Sequence, residues 1–358
     1  MENTQIATSE ATWFQKLNPN TKRMFVSFGA LLLLIILFGI LQTKKFFSED
    51  NIINVIQSVV TYAIVGFGLT FVLVGGGTDL SAGAAMGLAG LISIYLISIG
   101  VPIILSIIIS ILAACLMGLL NGFSVMILGV LPFIATLGTQ WVFRGLTNIV
   151  TDGRPIFTSN LDPTDQEIFY LIGGGRMVTL TNMMFGQEVN PFEIENGFVR
   201  FFAKIPCSVI IAILYGILLY FVLAKTPIGR KIYACGSNVE AARLSGINVV
   251  KTRIFAYIIC SISATIAGII TTSRISSAQT QAGVGYELEG IAASVLGGVA
   301  MSGGEGGIIN TVIGAFIIGI LRNGLNLCGF NSYWQMVVLG LVIVLAVAAE
   351  AFRNRKFT

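Results

Sequence analysis

The residues able to do chemistry are few, and most sit in glycine-rich breaks. Asp79 lies in GGGTDLSAG (Gly75 to Gly83) between two apolar runs, and Glu305 lies in SGGEGG (Ser302 to Gly307). A carboxylate there can contact a substrate, carry a proton or hold a helix end, and an ionisable residue inside a membrane segment is a functional candidate by default. The surroundings favour the third role. Glycine opens backbone angles closed to other residues. Asp79 or Ser81 can cap a helix that starts near Ala84. Gly83, Gly87 and Gly90 let another helix approach closely. Gly76, Asp79, Ser81, Gly83, Gly304 and Glu305 are therefore read as a helix joint or gate, with Glu305 starting the span that follows it.

No histidine occurs in the chain. That removes imidazole acid–base chemistry, Ser-His triads and the usual zinc sites. Cys115, Cys207, Cys235, Cys260 and Cys328 are scattered without a CxxC. Most fall in or beside apolar runs, where cysteine acts as a small hydrophobe, and a disulfide framework is not expected. Neutral polar side chains remain. A polyol needs paired donors and acceptors, and Asn, Gln and Thr provide them. Gln57 and Thr61, Thr136 and Gln140, and Asn323 and Asn326 recur at helical spacing and are candidates for lining a conduit. Interhelical hydrogen bonding is their alternative role. Arg144 and Arg322 sit inside apolar runs. They either snorkel to the headgroups or line the path and bridge the bundle.

A different chemistry is written in ACGSNVEAARLSGINVVKTR (Ala234 to Arg253). Ser237 and Glu240 fit a capping box, S-x-x-E. Ala241, Ala242, Arg243 and Leu244 favour helix, and Gly246 suits its C-terminal cap. The expectation is a helix of about two turns offering Ala241, Ala242 and Leu244 to a partner. Gly236, Ser237, Asn238, Glu240, Ala241, Ala242, Arg243 and Gly246 make up this docking segment. No phosphate loop accompanies it. Lys225-Thr226 follows Ala224 and Lys251-Thr252 follows Val250, so neither pair has the glycine that a G-x-x-x-x-G-K-[ST] loop requires. If ATP drives this chain, another polypeptide hydrolyses it.

The elements that must position these residues are set by composition. Of 358 residues, 55% are hydrophobic and 11% charged, against about 25% charged in soluble domains, and mean hydropathy is +0.88. Apolar windows of about 20 residues suffice to cross a bilayer. Ten are expected: 24–41, 52–74, 84–99, 101–120, 133–150, 205–223, 254–271, 288–301, 308–327 and 334–352. The eighth is too short to cross unless Tyr286 and Glu287 extend it. This makes an all-α polytopic membrane protein of about ten helices, several short or broken, with both termini cytoplasmic. The first run is long enough to remain as an uncleaved anchor.

Cation placement orients the bundle. Lys16, Lys22 and Arg23 precede the first span; Arg353, Arg355 and Lys356 follow the last. Segment 224–253 carries six cations and the single acid Glu240, which suits the inside. Segment 151–204, with seven acids including Glu188, falls outside. Lys44 and Lys45 fall outside too, against the rule. The division expected is a cytoplasmic segment 1–23, one transmembrane domain 24–352 and a cytoplasmic tail 353–358. Within the outer loop, NPFEIENGFVRFFAKIP can form a short surface helix. The net charge of +4 carries no nucleic-acid signal.

EAARLSG resembles the EAA---G loop of bacterial ABC-importer permeases, in which a short coupling helix fits a cleft of the ATPase subunit. IGRKIYACGSNVEAARLSGINVVKTRIFAY, GGGTDLSAG, LPFIATLGT, TDGRPIF and GGVAMSGGEGG resemble the monosaccharide permeases of the class-2 carbohydrate uptake transporters. The likeness runs from about Gln57 to the carboxyl terminus, although the long 151–204 loop departs from the common pattern. TDLSAG, YELEGIAASVLGGVAMSGG and NSYWQ look closest to the galactose/methyl-galactoside type. The resemblance implies a multi-pass protein of the bacterial inner membrane, surrounded by lipid, working as a homodimer. It implies an ABC ATPase subunit that binds ATP and magnesium, and a periplasmic or extracellular sugar-binding protein. No cofactor is expected in this chain. An ion-coupled secondary sugar transporter is the alternative, with Asp79, Glu289 and Glu305 as coupling acids. A membrane enzyme fits poorly, since there is neither histidine nor a carboxylate cluster.

Overall fold

The computed structural model describes residues 19–186, 189–190 and 193–355. The segment before Pro19 with Lys16, the acid Glu188 and the last residues with Lys356 lie outside the described residues. The described chain is almost wholly helical. Ten helices answer to the ten expected spans: α1 (Pro19–Leu41), α3 (Glu49–Val74), α4 (Ala82–Ser98), α5 (Ile103–Met126), α6 (Pro132–Thr151), α10 (Cys207–Lys225), α13 (Val249–Ile275), α14 (Tyr286–Gly297), α15 (Ile308–Leu327) and α16 (Ser332–Arg355). Six of them, α1, α3, α5, α10, α13 and α15, are long and apolar enough to cross a membrane. With 12 residues, α14 rises about 18 Å and does not cross alone, even though it begins at Tyr286.

Helices α3 and α13 form the centre. The latter packs on α3, α4 and α5, while α14 and α15 pack on each other and on α3. A lipid-facing helix needs no amphipathic stripe, because both faces meet apolar surroundings; glycine decides which faces touch protein. On α5, a Cβ at Gly118 would lie 2.7 Å from the Tyr257 carbonyl oxygen of α13. On α4, Cβ atoms at Gly83, Gly87 and Gly90 would collide with Glu287, the Ala282 carbonyl and Thr272. The small-residue stripe expected on α4 is thus a real contact face, closing on α13 and on the segment before α14. Gly268 answers from α13, where a Cβ would overlap the Met86 carbonyl oxygen.

The acidic segment 151–204 has structure of its own. A two-residue strand β1 (Ile156–Phe157) pairs antiparallel with β2 (Ser277–Ala278), and α7 (Pro163–Gly173), α8 (Met177–Phe185) and α9 (Gly197–Lys204) follow. The surface helix expected before the sixth span is α9. Asn196 caps it, accepting from the backbone N–H groups of Phe198 and Val199 at 3.0 and 3.3 Å. Arg200 and Lys204 tie it to Glu49 at the start of α3. Short helix α2 (Thr43–Phe46) links α1 to α3, and α11 (Pro227–Ser237) and α12 (Val239–Leu244) fill the opposite, basic segment.

If glycine fixes the α4–α13 contact, Gly268→Ala should destabilise the protein by about 1–3 kcal/mol. Gly138→Ala, where the added Cβ meets nothing within 4 Å, should cost nothing. Thermal unfolding of the two variants in detergent separates them, and equal melting temperatures would refute the packing argument.

Candidate functional site

The basic segment folds as two helices between α10 and α13. Thr226 caps α11 by accepting from Gly229 N–H at 3.3 Å, with Pro227 at the first helical position. The capping box expected from Ser237 and Glu240 does not form. Ser237 ends α11, and Asn238 caps α12 by accepting from Ala241 N–H at 2.9 Å. A box needs its acid at the third helical position, which is Ala241. Glu240 occupies the second and pairs instead with Arg243 at 3.2 Å. Gly246 closes the helix as expected, with φ +77°; its N–H donates to Arg243 O and that of Ile247 to Ala242 O, a left-handed glycine termination.

Only part of α12 faces outward. Ala242 is buried among Cys235 and Val249, so it is a foot of the helix and not part of the offered face. Burial pushes the Cys235 thiol up, which keeps it neutral under α12. The free face presents Glu240, Ala241, Arg243 and Leu244, the last 89% exposed. Leu244 thus stands in the open beside the Glu240–Arg243 ion pair.

Behind this face the chain meets the glycine-rich breaks. Gly236 lies so close to the end of α3 that a Cβ would overlap the Val74 carbonyl oxygen and sit 2.6 Å from Gly304 N. Gly304 N–H donates to Val74 O at 2.9 Å. A Cβ at Gly303 would be 2.8 Å from the Gly236 oxygen and 3.1 Å from Gly76 Cα, and one at Gly304 would strike Ser237. Gly76, Gly303 and Gly304 have φ of +75°, +88° and +74°. Three segments far apart in sequence therefore join backbone to backbone. The two look-alike breaks, VLVGGGTDLSAG and VLGGVAMSGGEGG, are neighbours in space. Arg253 of α13 closes the junction, donating to Cys235 O at 3.3 Å, and Tyr233 donates its hydroxyl proton to Gly306 O at 2.6 Å.

The carboxylates of the breaks do not cap helices. Ser81 holds the cap position of α4 without a side-chain cap bond; its hydroxyl and N–H both go to Asp79 Oδ1, at 2.7 and 2.9 Å. Asp79 is fully buried, not at a wet helix end. The loop folds inward, and Asn121 of α5 donates to Asp79 Oδ2 at 3.3 Å while Thr139 of α6 donates to Asn121 at 2.5 Å. Tyr257 of α13 holds the Thr78 carbonyl at 3.3 Å. Asp79 is a knot tying α4, α5 and α6 to the joint. Glu305 does not start α15, whose cap is Gly307; it forms an ion pair with Arg23 of α1.

The six conduit candidates are not gathered in one cavity. Gln57 donates to Gly173 O at 3.3 Å. Thr61 is buried on α3. Thr136 accepts from Leu80 N–H at 3.1 Å and so holds the Asp79 loop. Gln140 donates to Glu287 at 3.4 Å. Asn323 and Asn51 exchange side-chain hydrogen bonds at 2.8 and 3.1 Å, and Asn326 is exposed. Neither arginine snorkels. Arg144 is buried and donates to the carbonyls of Thr280 and Ala282, and Arg322 pairs with Glu289 beside the stacked rings of Tyr62 and Tyr286.

Sequence reasoning missed Asn121, Glu287 and the hydroxyl cluster in which Thr70 meets Ser294 and Thr311 at 3.1 and 2.5 Å. Asn121 carried a signal, a lone amide in the apolar run LLNGF. The hydroxyls carried none, since Ser and Thr are frequent in membrane helices. The Arg322–Glu289 pair makes a thermodynamic prediction. Glu289→Gln should cost about 2 kcal/mol, under the ~3–5 kcal/mol of fully buried pairs because a third of the Arg322 side chain stays exposed. Glu289→Gln with Arg322→Gln should recover most of the loss in a double-mutant cycle of melting temperatures, and strictly additive losses would count against the pair.

Comparison with known proteins places the chain in a family. The family described as branched-chain amino acid transport system / permease component matches residues 51–347. The ribose import permease protein of Haemophilus influenzae is 40% identical over 330 residues, 92% of this chain and 94% of that protein. That of Bacillus subtilis is 39% identical over 336 residues, 94% and 92% of the two chains. The galactose/methyl galactoside import permease protein of Haemophilus influenzae is 31% identical over 348 residues, covering 90% and 93%. The galactose-type leaning read from TDLSAG is thus not the better supported one. No solved structure matches. A family match over most of the length, with relatives covered almost end to end, shows that the chain belongs to the branched-chain amino acid transport system / permease component family.

Proposed function

We propose that this chain is the membrane-spanning subunit of an ATP-driven importer for a monosaccharide in the bacterial inner membrane. One observation carries the mechanism: the α11–α12 segment is joined by backbone contact to the end of α3 and to the turn between α14 and α15. A separate ATPase subunit grips the face of Glu240, Ala241, Arg243 and Leu244. Closure of the ATPase pair on ATP moves α12, and Gly236 passes that displacement to Val74 and Gly304 without a flexible side chain in between. The joints then re-aim α3, α4, α14 and α15. Two copies enclose the path, and a soluble sugar-binding protein delivers the substrate at the face opposite α12. A pentose such as ribose is the favoured cargo, given the names of the relatives at 40% and 39% identity, with D-allose next and then galactose or a methyl galactoside.

The carboxylates argue for the same reading. An ion-coupled carrier needs an acid free to exchange its ion. Asp79 is held by Ser81 and Asn121, Glu289 by Arg322 and Glu305 by Arg23. Each is engaged in structure.

Two experiments test the proposal. Glu240→Lys should leave insertion and melting temperature unchanged, since Glu240 is exposed and pairs only with Arg243 among the described residues. It should weaken ATPase co-purification by more than tenfold, the loss of one charge-assisted contact of ~1.5–3 kcal/mol; undiminished co-purification would remove the coupling role. In vesicles, the chain with ATPase and binding protein should accumulate labelled ribose on ATP addition. Accumulation by the chain alone on an ion gradient would replace the importer reading with a secondary carrier.

A further inference from the structure

A furrow of about 590 Å³ runs between α3, α10 and α15, and its lining is apolar throughout apart from the Tyr220 ring edge. Its α10 wall is the helical stripe Val209, Ala212, Gly216 and Tyr220. The eleven steps from Val209 to Tyr220 rise about 16 Å, close to half of the roughly 30 Å hydrocarbon core. At the end nearest α11 it opens into a second chamber of about 240 Å³ that shares Tyr220, Ile308 and Ile309 with it. This chamber differs in chemistry, with Tyr233, Asn310 and the backbone of Gly306 and Gly307 in its wall.

The surroundings of the chamber are basic. Lys225 directly follows the lining residue Ala224, and Arg230 lies three residues before Tyr233, on the same side of its helix; both are exposed. The nearby acid Glu305 is engaged by Arg23. An apolar slot one leaflet long, leading to a polar chamber with cations at its mouth, has the form of a single amphiphile. The slot itself cannot choose among lipids, because lipid tails are as apolar as its walls. Selection falls to the chamber, where each cation near a membrane surface is worth about fivefold toward an anionic headgroup.

We propose that an anionic phospholipid is held here, one acyl chain in the furrow between α3, α10 and α15 and its phosphate in the chamber beside Lys225 and Arg230. A lipid so placed packs against the first turn of α15 and against α11, next to the junction of the breaks.

The test uses the purified chain in detergent, stripped of lipid and titrated with phosphatidylglycerol or phosphatidylcholine, with bound lipid counted by native mass spectrometry. Wild type should retain one phosphatidylglycerol per chain in preference to phosphatidylcholine. Lys225→Gln with Arg230→Gln should weaken phosphatidylglycerol about twenty-five-fold, fivefold per cation, and leave phosphatidylcholine unchanged. Ile213→Trp, at an exposed lining position, should block both lipids, while Ile36→Trp on α1, exposed but outside the furrow, should block neither. Equal retention of the two lipids, or full retention by Ile213→Trp, overturns the proposal. So does efficient cross-linking of Ile309→Cys between two copies without bound lipid, which would make the furrow an interface between chains.

Discussion

Gly236 carries no side chain because the Val74 carbonyl leaves no room for one. That single exclusion organises the α12 side of the molecule. It lets the end of α11 lie against the end of α3, and it lets Gly304 donate to the same Val74 oxygen. Backbone in contact with backbone is stiff. Side chains hop between rotamers, whereas a displaced peptide unit moves its neighbour. Positive φ at Gly76, Gly303 and Gly304 is the geometric consequence, since only glycine makes such turns without strain. The glycines are therefore not slack in the chain. They are what allows three segments to share one point.

Around that point the acids are engaged by groups drawn from different helices. Asp79 gathers α4, α5 and α6 through Ser81, Asn121 and Thr139. Glu305 gathers α1, and Glu289 with Arg322 fastens α14 to α15. In lipid, van der Waals packing and polar contacts replace the hydrophobic force between helices. A membrane carboxylate left without a partner is costly, so each pair dictates which helices must meet. Where glycine sets how closely helices approach, these pairs set which helices they are.

The ten apolar runs, their rough ends and the short α12 were legible in the sequence because hydrophobic length and helix caps are local properties. The small-residue face on α4 was legible for the same reason. The fates of Asp79 and Glu305 were not. Whether a loop acid caps the next helix or turns inward depends on what stands opposite, and Asn121 lies 42 residues from Asp79. The cap of α12 was misplaced by one residue, because Ser237 and Asn238 are both good caps and only the end of α11 decides between them. Arg144 and Arg322 read either as headgroup anchors or as bridges within the bundle, and only their partners, the Thr280 and Ala282 carbonyls and Glu289, decide for the second.

The exposed helix is tied to the bundle through backbone contacts. It is short, capped at both ends and footed on Ala242, so it moves as a unit with α11. The junction behind it turns any shift of α11 into a shift of α3 and of the α14–α15 turn together, because both accept or donate at Val74. Helix α14 is too short to cross and is bounded by left-handed glycines at Gly285 and Gly298, so it can reorient without bending a long helix. The far end of α14 is where Glu287 and Glu289 engage Gln140 and Arg322. The Val74 junction thus lies just beyond one end of α14, and the Glu287 and Glu289 contacts lie at the other, so one short helix connects them.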